Sequence, residues 1–123
     1  MRREDLEEHL SGLEGSEGSY PFGPEALVFK VMDKMFALVS QTEGALTVTL
    51  KCDPTDGEFL VGQYESITPG YYMNKKHWIT ISLDGELPQE MITDLADGSY
   101  ELVVGKLTRA EKRELEQRQQ EDA

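Results

Sequence analysis

The alternation of apolar and polar positions divides this chain into short, well-separated elements. Leu6, Leu10 and Leu13 recur at i, i+4 and i+7 among charged neighbours, which predicts an amphipathic helix over residues 2–13. Gly12, Gly15 and Gly18 end that pattern, and Ser19-Tyr20-Pro21-Phe22-Gly23-Pro24 reads as extended, because each proline turns its predecessor away from helix. Three strands follow. In 27–32, Leu27, Phe29 and Val31 share one face, with Val28, Lys30 and Met32 on the other. Residues 34–40 are apolar on both faces, as a central strand is, and a tight turn near Asp33 joins the two. In 46–52, Leu46, Val48, Leu50 and Cys52 alternate with Thr47, Thr49 and Lys51. The short links imply antiparallel hairpins.

Asp53-Pro54 is a helix start, with an aspartate N-cap and proline in the first turn, for a helix to about Tyr64 that buries Phe59, Leu60 and Tyr64. Thr68-Pro69-Gly70 reads as a turn, and 71–73 with 77–83 as a hairpin around Asn74-Lys75. In its second arm His77, Ile79, Ile81 and Leu83 share one face, with Trp78, Thr80 and Ser82 on the other. Pro88 opens a helix that turns Met91, Ile92 and Leu95 inward, and Ser99 reads as the cap of a second short helix containing Leu102, Val103 and Leu107. Thr108-Arg109-Ala110-Glu111 is a capping box, and the tail helix after it is polar all round. The expected fold is α+β, a single antiparallel sheet with helices packed on one side, in the order α-β-β-β-α-β-β-α-α plus a polar C-terminal helix. Residues 1–108 form one domain and 109–123 a solvated or frayed tail, with no internal repeat.

Composition narrows the function. The 123 residues carry 24 acids and 12 bases, a net charge of −12, which excludes a generally basic nucleic-acid coat but leaves room for a local patch. The single cysteine excludes a disulfide framework and a cysteine-based zinc site. The N-terminal MRREDLEEHL lacks a signal peptide's apolar core, and no run is long enough for a membrane helix, so a cytoplasmic protein with no membrane partner is expected. Charge is unevenly placed. The four strand regions 27–32, 34–40, 46–52 and 70–83 hold Lys30, Lys34, Lys51, Lys75 and Lys76 and no acid, where even placement would put roughly six or seven of the 24. Either the sheet carries an anion-binding face, or the acids are simply poor strand formers and the lysines protect sheet edges.

The densest candidate site is Tyr71-Tyr72-Met73-Asn74-Lys75-Lys76-His77-Trp78. Lysines neutralise phosphates, aromatic rings stack on bases and an amide can read an adenine edge, whereas the same residues would also make an ordinary soluble hairpin. Cys52 with His77 lacks a third, orienting group, so neither is expected to be catalytic. Glu4, Asp5, Glu7, Glu8, Glu14 and Glu17 could gather cations but match a solvated helix face better. Asp53, Asp56 and Glu58 lack the spacing of a calcium loop, and no phosphate-binding glycine motif is present. No metal site, cofactor or enzymatic activity is expected.

Three segments together resemble the MmcQ/YjbR family of small bacterial proteins: Tyr20-Pro21-Phe22-Gly23-Pro24 leading into Val28-Phe29-Lys30-Val31, Leu50-Lys51-Cys52-Asp53-Pro54, and Thr68-Pro69-Gly70-Tyr71-Tyr72-Met73-Asn74-Lys75-Lys76-His77-Trp78. Asp97 through Val104 agrees as well, and Met32-Asp33 stands where the family often carries glycine. The resemblance implies a compact α+β domain, also likened to frataxin-type proteins, and DNA binding by paired hairpins in a double-wing shape. Carried onto this chain, the contacts fall on Tyr71, Tyr72, Asn74, Lys75, Lys76, His77 and Trp78, with Lys30 and Lys51 as phosphate contacts on the sheet. The alternatives are a non-enzymatic protein-interaction module and an acidic, frataxin-like metal binder.

Overall fold

Six antiparallel strands form one sheet in the order β1-β2-β3-β4-β6-β5. A computed structural model describes residues 1–42, 44–70, 74 and 76–122. Along the chain these residues form α1 (Arg3–Ser11), β1 (Ser16–Ser19), β2 (Ala26–Val31), β3 (Lys34–Thr42), β4 (Ala45–Lys51), α2 (Pro54–Gln63), β5 (Ile67–Pro69), β6 (Trp78–Ser82), α3 (Gln89–Gly105) and α4 (Arg109–Asp122). The α+β class and the antiparallel sheet are as the periodicity predicts. β1 is an addition: Ser16–Ser19 pairs with Val28–Val31, although its composition, Ser-Glu-Gly-Ser, carries no strand signal. The Tyr20–Pro24 segment that follows turns rather than extends, with Gly23 at φ 111°.

The pairing register fixes the two faces. Leu27 opposes Val39, which opposes Val48, which opposes Ile81, and these apolar side chains form the buried face. All four helices meet the sheet there. His9 Nε2 on α1 lies 2.6 Å from Asp97 Oδ1 on α3. Gly57 brings the α2 backbone against Cys52 and Ile79, where a β-carbon would stand 2.7 Å from the Cys52 sulfur. Leu115 of α4 is buried against Gly15 and joins the core. The tail is therefore docked by its one buried leucine, although its other residues, Ala110 aside, are polar.

The β2–β3 turn holds Met32 at φ 49° and Asp33 at φ 65°. Two successive left-handed residues match the twist of a tight hairpin, a conformation usually given to Asn-Gly. A register shift between Phe29 and Lys30 leaves Phe36 unpaired in β3 and turns it into the core, edge-on to Tyr100 at 5.3 Å. Ser99, expected to cap a separate helix, lies instead inside the continuous α3. Its hydroxyl donates to the Phe36 carbonyl at 2.6 Å and accepts from the Lys51 backbone N–H at 2.8 Å. A serine with these two partners is satisfied inside the core, so it need not start a helix.

The residues expected to form a turn at Thr68-Pro69 pair with β6, Ile67 with Ile81 and Pro69 with Ile79. Proline is tolerated because β5 is the edge strand, so no ladder needs its missing N–H. The expected first arm, 71–73, lies outside the described residues. Asp53 caps α2 through the Thr55 N–H at 2.9 Å, but Phe59, expected in the core, is 65% exposed. Leu60 faces inward and Tyr64 packs partly buried against the core, whereas Phe59 points out because it lies about 100° from Leu60 around the helix.

Candidate functional site

The face of the sheet opposite the helices is built by the alternate strand positions. Val28, Lys30, Leu38, Thr49, Lys51, Trp78 and Thr80 share it by register. The Thr49 and Thr80 hydroxyls lie 2.9 Å apart across β4 and β6, giving the face a hydroxyl-lined centre. β2 through β6 contain no Asp or Glu among the described residues.

Lys51 ends β4 and pairs with Trp78, the first residue of β6, and its ammonium stands 6.0 Å from the indole centroid. Gly70 lets this corner close: a β-carbon there would fall 2.8 Å from the Trp78 β-carbon. Lys106, the residue after α3, comes up beside Lys51. Burial, and then the like charge of Lys106, lower the Lys51 pKa. Neither lysine has a carboxylate partner within salt-bridge distance among the described residues. Lys106 was not anticipated from the sequence, since it follows a helix 55 positions away from Lys51.

The remaining predicted contacts are distributed. Lys30 is on the same face as Lys51, two strands away, and is directly opposite Glu17 of β1. Lys34 belongs to the helix side, where Nζ lies 3.9 Å from Glu111 Oε2. Lys76 lines a cleft of about 400 Å³ on the helix side with Pro54, Glu58, Val61 and Ile79. Asn74 is exposed, and its side chain is engaged as a turn former, accepting from the Lys76 N–H at 3.0 Å. His77 is half-buried, and its carbonyl accepts from the Cys52 N–H at 2.8 Å. Tyr71, Tyr72 and Lys75 lie outside the described residues. The structure thus brings together Lys51, Trp78 and Lys30 on one face and sets Lys76 round the edge.

Other chemistries find less support. The Cys52 thiol is buried, and burial, with Asp56 and Asp53 behind it, pushes its pKa up, opposite to the activation a nucleophile needs. Among the described residues no three His, Cys, Asp or Glu side chains converge as a metal site. On α1, Glu4 and Glu7 are paired with Arg2 and Arg3. Among the described residues no helix is long and apolar enough to cross a membrane.

A one-sided, six-stranded antiparallel sheet with its helices on a single face defines the class as a small α+β domain. Comparison with known proteins narrows it. The YjbR family model matches residues 11–102, and the chain belongs to that family. It is 36% identical over 115 residues to the uncharacterized protein YjbR of Escherichia coli K12, covering 94% of this chain and 97% of that one. It is 40% identical over 94 residues to the uncharacterized protein YbdF of Escherichia coli O157:H7, covering 76% and 77%. Among solved structures, Deinococcus radiodurans protein DR2400, with domain DUF419, matches at TM-score 0.84 and 44% identity, over 91% of this chain and 86% of its own.

Proposed function

We propose that this protein is a weak, salt-dependent DNA-binding protein of the cytoplasm, not an enzyme, and that it grips the phosphate backbone with the helix-free face of its sheet. The observation that carries this reading is the Lys51–Lys106 pair. Lys106 stands close enough to Lys51 to repel it, neither has a carboxylate within salt-bridge distance among the described residues, and with Trp78 beside Lys51 they form a seat for an anion, bordered on its helix side by the acids of the α2–α3 cleft. Burial is the main cause of the lowered Lys51 pKa, and an anion between the two lysines offsets the like charge of Lys106 that adds to it. Lys30 lies on the same face, opposed by Glu17 of β1, and Trp78 offers an aromatic surface beside Lys51.

This reading moves the contact away from the hairpin tip that a double-wing arrangement would use, because Lys76 sits round the edge from Lys51. The net charge of −12 opposes approach at long range, so affinity is low and association slow. Fluorescence anisotropy with a labelled duplex tests it. With two to three phosphate contacts, affinity falls about twelve- to fortyfold between 50 and 200 mM salt. Lys51→Glu and Lys106→Glu each abolish the low-salt signal. No anisotropy change at low salt, with duplex or single strand, contradicts the proposal.

A further inference from the structure

We infer that the cleft between α2 and α3 is a docking site for a basic, amphipathic peptide segment of a protein partner. The cleft, of about 320 Å³, lies on the helix side and adjoins the lysine corner, since Lys51 lines its edge. Its floor is apolar, formed by Leu60 of α2 with Leu95 and Leu102 of α3. Its rim is acidic: Asp53 and Asp56 on one side, Asp94 and Glu101 on the other, all exposed. None of the four carboxylates makes an ion pair among the described residues. Lys51 is the one base lining the cleft among the described residues.

Phe59 continues the apolar surface outward. It is 65% exposed and follows Asp56 by three positions, so the two side chains are neighbours on the α2 surface. An apolar trough between two acidic rims without ion-pair partners among the described residues matches one chemistry: leucine-type side chains seated in the trough, flanked by lysine or arginine reaching both rims. An acidic or neutral helix would leave the rims unpaired, and a purely cationic chain would leave the trough and Phe59 exposed to water.

Isothermal titration of the full chain with a Leu/Lys amphipathic peptide tests this, with a Leu/Glu peptide of the same pattern and a Lys/Ser peptide of the same charge as comparators. We expect the Leu/Lys peptide alone to bind, with affinity reduced about tenfold by the double variant Asp56→Lys/Glu101→Lys. Phe59→Ser should also weaken it severalfold, with unchanged circular dichroism. Glu4→Lys/Glu8→Lys, on exposed positions of α1, should leave binding within a factor of about two once salt screens distant charge. Equal losses from the α1 pair and the cleft pair would overturn the proposal, since binding would then be diffuse attraction to an acidic protein. Equal binding of the Lys/Ser peptide would overturn it as well, because the trough would contribute nothing.

Discussion

Ser99 shows how much one side chain can settle. The unpaired Phe36 interrupts the β3–β4 ladder, leaving a carbonyl on one strand and the Lys51 N–H on the other without cross-strand partners in register. A helix residue with both a donor and an acceptor closes the gap. Ser99→Ala strands both groups inside the core, and we expect a loss of about 2–3 kcal/mol in urea unfolding with an unchanged m-value. Ser99→Thr, which keeps the hydroxyl but adds a methyl group, should lose less only if the helix shifts to admit it. Asp33 is the opposite case, a residue held in a conformation that suits it poorly. Asp33→Gly removes the left-handed penalty at an exposed position, and a gain of about 0.5–1 kcal/mol is expected. The tight turn at Asp33 is legible in the sequence, but the bridging role of Ser99 is not. Serine ahead of apolar residues reads locally as a cap, and only the bulge on a distant strand makes it a bridge.

Patterning was most informative where an element buries one face. The alternation in β4 and β6 predicted the side of every residue from Leu46 to Lys51 and from Trp78 to Ser82, because a half-buried strand must alternate. The Asp53 and Thr108 caps were equally legible, since capping depends only on neighbours. β1 was not, because four small or polar residues pair only when the β2 edge is offered to them. α4 lies between these cases: its capping box was visible, and its docking rests on buried Leu115 with the Lys34–Glu111 ion pair. At its start, the Thr108 N–H donates to the Glu111 carboxylate at 3.0 Å, and this bond, aided by the nearby Lys34, holds the Glu111 pKa below its ordinary value. A depressed carboxylate stabilises the fold above its unfolded pKa, and that contribution disappears as pH falls through the folded pKa. Glu111→Gln should therefore lower thermal stability near neutral pH. The difference from the parent chain should shrink toward zero on acidification below the carboxylate range. A difference independent of pH would assign the effect to packing instead.

Over the whole molecule, the fold separates charge that the composition only counts. The helices carry 15 of the 24 acids, and the sheet face turned away from them carries none on β2 through β6 among the described residues. An acidic protein can in this way keep a locally cationic surface. The sequence showed the asymmetry as five lysines and no acids in the strand regions, but it could not show its distribution. Strand parity assigns Lys30 and Lys51 to one face, whereas Lys34 crosses to Glu111 because the turn and bulge reset its side, and Lys106 arrives from the end of a helix. The most direct test is a two-dimensional amide NMR titration of the full chain with a short DNA duplex at low salt. Shifts gathered on Lys30, Thr49, Lys51, Thr80, Lys106 and the Trp78 indole are the predicted result. Shifts confined to Lys76 and the helix side, or no shifts at all, would contradict the account.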